Sequence, residues 1–277
     1  MRPFRLLLAF AAALVLTGAG CDLSKKIEWR FPFSFGKAQP ASDAAASTAG
    51  ISLKPGLAFT VRPSALGVNG AIDEVFGLDA RALVVEVRNA DPERALTLGW
   101  MTSAATGTLS LGAYEGAHVM LLPAFWIKGE SSAEGNGGLW LSRAAYDELF
   151  GAGKTEWRLG LAENALSALS KAFKAFNDIS AKLSGSATAT QVASPFMIEK
   201  TAVIEAYPLT VDGRIVLVRA IKATSWFAEF LVLENRENPL ILKIIVNPVA
   251  APALRALESA EIRWDELGYE ITSISRP

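Results

Sequence analysis

Two side chains in this sequence could start a reaction, and each stands alone. His118, in "YEGAHVMLLP", is the one histidine in the chain. Its imidazole could act as a general base toward a serine hydroxyl. No G-x-S-x-G elbow accompanies it, so no serine is marked as its nucleophile. Glu229, in "WFAEFLV", is an acid inside an apolar run. Burial would raise its pKa and suit it to proton transfer, whereas an outward-facing position on an edge strand would leave it an ordinary carboxylate. Asp265 and Glu266 flank Trp264, an arrangement that fits a sugar platform and equally fits a surface turn over a core tryptophan. No D-x-D-x-D-G calcium loop occurs. One cysteine, Cys21, excludes an intrachain disulfide and a cysteine metal site. The expectation is no metal and no cofactor.

The elements that must carry these residues read mainly as strands. His118 leads into "GAHVMLLPAFWI", apolar on both faces and so predicted to be a central strand. Residues 128–138, "KGESSAEGNGG", lack any phosphate-binding frame and read as a hairpin loop. Glu229 opens "WFAEFLVLENRENPLILKIIVNP", a hairpin turning at "NRENP" whose return strand is buried except at Lys243. Leu83, Val85 and Val87 alternate with Val84, Glu86 and Arg88, a half-buried strand. Asp212–Gly213 between apolar runs is a strong hairpin signal. Ser142 is placed to cap a two-turn helix, "RAAYDELF", ending near Gly151. In residues 162–184, Leu166, Leu169, Phe173, Phe176 and Leu183 form one helical stripe. A low-complexity bridge covers 185–195, a short helix 251–260, and "YEITSI" is a final strand. The pattern predicts a mainly β fold with one or two helices, a sandwich or partly closed barrel. Two β-rich lobes, 51–161 and 186–277, flank the 162–185 helix and bridge, or 51–277 forms one domain.

The N-terminus carries the most specific signal. Arg2 and Arg5 precede "LLLAFAAALVL", eleven apolar residues without a charge, and small residues follow. That order is a secretory signal over residues 1–20, with an apolar run too short to span a bilayer. Cys21 closes "TGAGC", which resembles the lipobox of bacterial lipoproteins, with Gly18 where such boxes usually carry Leu. The resemblance covers about the first 22 residues. It implies that Cys21 becomes the mature N-terminus, its thiol carrying diacylglycerol and its amine a fatty acyl chain such as palmitate. Buried methylenes at ~0.8 kcal/mol each make such attachment effectively permanent. Asp22 resembles the signal that keeps enteric lipoproteins in the inner membrane.

Trp29, Phe31, Phe33 and Phe35 follow on alternate residues among Lys25, Lys26, Arg30 and Lys37. In an extended chain these rings share a face. They either rest at the lipid headgroups or pack as a strand on the body. Residues 36–50, rich in Ala and Ser, read as a flexible tether completing an anchor-and-tether segment over 21–50. The net charge of −1, without a basic patch, gives nucleic acid no electrostatic footing. The sequence therefore predicts a non-enzymatic, lipid-anchored envelope protein facing the periplasm, whose β body binds a protein or envelope polymer. A periplasmic hydrolase and a carrier of an apolar ligand are the alternatives.

Overall fold

Asp212 and Gly213 have φ of 49° and 74°, the left-handed pair that reverses a chain in register with twisted strands. They join β9 (Met197–Val211) to β10 (Arg214–Thr224), and the ladder runs from Arg214↔Val211 to Thr224↔Glu199. β11 (Ala228–Leu233), β12 (Ile241–Val246) and β13 (Gly268–Ser275) continue the antiparallel meander. An up-and-down run of five strands must bring its first and last together parallel. β13 does meet β9 in parallel, at Ser273↔Thr210 and Ile274↔Val211. The five strands thus form a partly closed barrel.

The other edge of β13 pairs along its length with β1 (Ala58–Ser64). From there the sheet runs outward through β2 (Leu83–Asp91), β3 (Ala95–Met101), β4 (Thr106–Ser110) and β6 (Gly129–Ser132). β7 (Lys154–Glu156) pairs with β9 at the opposite end. A separate two-stranded parallel sheet joins β5 (Val119–Met120) to β8 (Arg158–Leu159). This computed structural model describes residues 41–64, 82–91, 93–123, 126–160, 196–246 and 268–277. They lie within one compact unit, Gln39–Pro277, so both β-rich stretches enter the same sheet. The predicted helices at 162–184 and 251–260 and the bridge at 185–195 lie outside the described residues.

The core explains the strand choices. Leu83, Val85 and Val87 are buried while Val84, Glu86 and Arg88 face out, the expected period of two. Leu240, Ile241, Leu242 and Ile244 are buried around the half-buried Lys243. Trp140 is fully buried, edge-on to Phe59 at 5.6 Å, with its Nε1 donating to Asn238 Oδ1 at 2.6 Å. Ser142 caps α2 (Arg143–Asp147), its Oγ accepting from Ala145 N at 3.1 Å. A π-helical turn, Glu148–Ala152, follows, and Gly153 at φ 76° ends it.

Three stretches differ from the sequence expectation. Residues 41–49 of the predicted tether form a helix, α1 (Ala41–Ala49), because Ala44 and Thr48 share a face and bury against the sheet. "GAHVMLLPAFWI" is not a central strand: among its described residues only β5 forms, and Ile127 is 68% exposed. Ala117, Met120 and Leu122 are instead buried in the core shared with the sheet. The Gly-rich stretch 128–138 is not merely a loop, since Gly129–Ser132 pairs in parallel with β4 as an edge strand. Among the described residues no helix is long and apolar enough to cross a membrane.

Candidate functional site

Directly paired residues on neighbouring strands point to the same face of a sheet. Register therefore aligns Arg62 of β1, Glu270 of β13, Lys243 of β12, Leu231 of β11 and Lys222 of β10 in one transverse row. At ~4.8 Å per strand the row spans roughly 20 Å. Glu270 is its hub. Lys243 Nζ lies 3.2 Å from Oε1, and Arg62 Nη2 lies 3.6 Å from Oε2. Tyr207 OH donates to Oε1 at 3.2 Å. Tyr207 reaches Glu270 because β9 diverges from β13 below their short parallel contact, so its ring faces β13 without backbone pairing. Burial, and then the Glu270 carboxylate, push the Tyr207 phenol far above its ordinary pKa, so it stays a neutral donor.

At this fork an open depression of about 210 Å³ is lined by Arg62, Tyr207, Thr210, Ile215, Glu270 and Thr272, among others. Ile215 is 76% exposed and gives it an apolar rim. The site therefore offers a charged floor and an apolar edge. Glu270 is engaged by donors from three strands and is poorly placed to abstract a further proton. The arrangement suits recognition by hydrogen bonds and charge.

Glu229 lies beside the Lys222 end of that row, two residues from Leu231 along β11. Its Oε2 lies 3.0 Å from Lys222 Nζ, and its side chain is 25% exposed. β11 lies between β10 and β12, so Glu229 is neither buried alone nor on an edge strand. His118 lies elsewhere, just before β5. Its Nδ1 is 3.1 Å from Gly116 O and its Nε2 is 3.6 Å from Glu148 Oε2. Thr155 Oγ1 donates to that same Glu148 oxygen at 2.7 Å, and Thr155 is buried. The one hydroxyl held in this cluster therefore points its proton at Glu148, not at the imidazole. The structure does not bring His118 and Glu229 into one site. Asp265, Glu266, Trp264, Cys21, Asp22, Trp29, Phe31, Phe33 and Phe35 lie outside the described residues.

A second ionic centre escaped the sequence reading. Arg219 pairs with Glu205 (Nε to Oε2, 3.0 Å) and with Glu234 (Nη1 to Oε1, 3.2 Å). Glu234 is only 9% exposed, and its Oε2 is buried without a hydrogen-bond donor. Burial raises its pKa, opposed by Arg219 and reinforced by Glu205. Its position just before the "NRENP" turn, beside a strand arginine, is the one sequence signal it leaves. Among the described residues no cluster of three His, Cys, Asp or Glu side chains could hold a metal ion. No protein-family model, curated protein or solved structure matches this chain.

Proposed function

We propose that this chain is a lipid-anchored bacterial envelope protein whose β-rich body faces the periplasm and binds a protein or envelope polymer without catalysing a reaction. The observation that carries this is the position of Cys21. The lone thiol falls at the end of "TGAGC", directly after an arginine-flanked apolar run. Lipid on Cys21 attaches the body, Asp22 favours the inner membrane, and Trp29, Phe31, Phe33 and Phe35 sit at headgroup depth among lysines. The row from Arg62 to Lys222, with its depression at the β9–β13 fork, is the recognition surface. The pairing of His118 with Glu148, and of Glu229 with Lys222, supports a body that holds these groups in structural contacts.

The experiment is chemical crosslinking of the full-length protein in its own envelope, followed by purification. The expected result is a defined protein or glycan polymer captured by the wild type and lost when Lys243 and Glu270 are both replaced by Ala. Copurification of an apolar small molecule alone supports the carrier, and turnover of peptide, ester or glycan substrates by the purified body supports the hydrolase. Either outcome contradicts the proposal.

A further inference from the structure

Helix α1 is held in an unusual way. Its sequence, ASDAAASTA, contains no large apolar side chain. Nine residues are too few for a stable isolated helix in water, so helix formation and docking occur together. The described apolar contribution is small: Ala44 and then Ile51, with Thr48 between them on the same stripe. Polar bonds grip its C-terminal end, where Arg219, Asn235 and Asn238 hold Thr48 and Ile51. Thr48 Oγ1 donates to Ala44 O at 2.7 Å and accepts from Arg219 N at 2.6 Å. Asn235 Nδ2 donates to Thr48 O at 3.1 Å and to Ile51 O at 3.0 Å. Asn238 Nδ2 adds a third bond, to Ile51 O at 3.0 Å.

The sheet is shaped to accept this end. The β9–β10 register jumps between Val218↔Tyr207 and Ala220↔Ile204, so Arg219 stands opposite two residues of β9. That bulge takes the Arg219 N–H out of the ladder and aims it at Thr48. Arg219 O still accepts from Glu234 N, and the Arg219 side chain pairs with Glu205 and Glu234, which fixes the bulge. Asn238 is fixed in turn by Trp140. The clamp is therefore built into rigid elements, whereas the part it grips is short and weakly apolar. Terminal elements of this kind open at lower free energy than the sheet they cover.

We infer that α1 is a releasable strap: it shortens the membrane tether when docked on the β9–β10 bulge, and it yields before the sheet when the anchor is pulled. The inference rests on the anchor reading for its purpose, though not for its test. Residues 22–40 separate Cys21 from the strap. A chain of that length reaches roughly 65 Å at full extension, and release through Ile51 raises this to roughly 100 Å.

Cys21 is the only thiol, so the unlipidated full-length chain can be held there and at its C-terminus and stretched. A first event at low force, lengthening the chain by about 25 Å, should precede rupture of the sheet. That figure follows from eleven extended residues less one short helix. In Thr48→Val and in Asn235→Ala the event should shift to lower force or vanish, with the main rupture unchanged. Amide exchange in the wild type gives a measurement that needs no variant. Gly50 and Ile51 amides should exchange at least about tenfold faster than those of Val218 and Ile221. Release of residues 41–51 only together with the sheet overturns the inference, as does exchange of those amides only by global unfolding. Failure of the anchor reading is seen separately, as a Cys21→Ala protein that remains in the membrane fraction.

Discussion

Helix α1 and the β9–β10 hairpin lie against each other and are built on opposite principles. The hairpin is local: Asp212 and Gly213 turn the chain, and the two strands pair with each other from the turn outward. Its inner residues, among them Leu209, Val218, Ala220 and Ile221, are buried. Helix α1 is remote: Arg219 lies 171 positions from Thr48, and Asn235 lies 187 from Thr48. Burial and a long ladder, shifted at two points, hold the first; directed bonds from distant residues grip the end of the second. The difference teaches that adjacent elements of one unit can differ widely in how they fail.

The largest expected effect falls on the hairpin. Ile221 is fully buried, so Ile221→Ala should cost about 2–5 kcal/mol of global stability, read from the denaturant midpoint. Helix α1 should respond differently. Thr48→Val leaves the Arg219 N–H without its partner, a local loss of about 1–3 kcal/mol. Proteolysis within residues 41–51 should accelerate while the global midpoint barely moves. A midpoint shift as large as that of Ile221→Ala would merge the two regions into one cooperative unit. At the turn, Gly213→Ala should cost about 1 kcal/mol, because a Cβ is disfavoured at φ 74°.

The hairpin was legible in the sequence for the same reason that it is robust. Asp212–Gly213, the alternation at Leu83 to Val87 and the Ser142 cap each act within a few residues, so each is written where it acts. The mainly β class followed from those local signals. Helix α1 looked like a tether because small polar residues carry no apolar period, and its partners lie far along the chain. The stretch around Met120 misled in the other direction. Continuous apolarity marks a buried strand or a buried loop equally well, and here Met120 and Leu122 join the core with little strand between them. The row through Glu270 was invisible because Arg62, Glu270, Lys243 and Lys222 come from four separate strands and are joined only by register. Glu229 was noticed for its apolar neighbours, yet Lys222, its partner, belongs to the preceding strand.

Titration should separate the regions by smaller effects. Burial pushes the Tyr114 and Tyr146 phenols up to about 12. A phenol that ionises near 10 when unfolded and near 12 when folded stabilises the fold below pH 10 and loses that contribution as the pH rises to 12. Unfolding midpoints should therefore fall between pH 10 and 12. Two carboxyls should move in opposite directions. Asp212, which accepts from the Arg276 backbone N–H at 2.9 Å and from its Nε at 2.6 Å, is held below the usual carboxylate range. Its stabilisation is present above the unfolded carboxyl pKa and lost as the pH falls through the folded one. Glu234 is held above that range by burial, so its contribution declines as the pH rises past the ordinary value. Carboxyl carbon shifts followed by NMR should show Asp212 titrating first from the acid side and Glu234 last. The reverse order would mean that Arg219 outweighs burial at Glu234.

The proposed lipid anchor would give the strap its purpose, since a strap matters only if Cys21 is fixed. The mass of the mature N-terminal peptide, purified from the bacterial envelope, tests this most directly. The account predicts a peptide that begins at Cys21 and carries a diacylglyceryl thioether and an acylated amine. A peptide that begins at another residue, or at Cys21 with a free thiol, would contradict it.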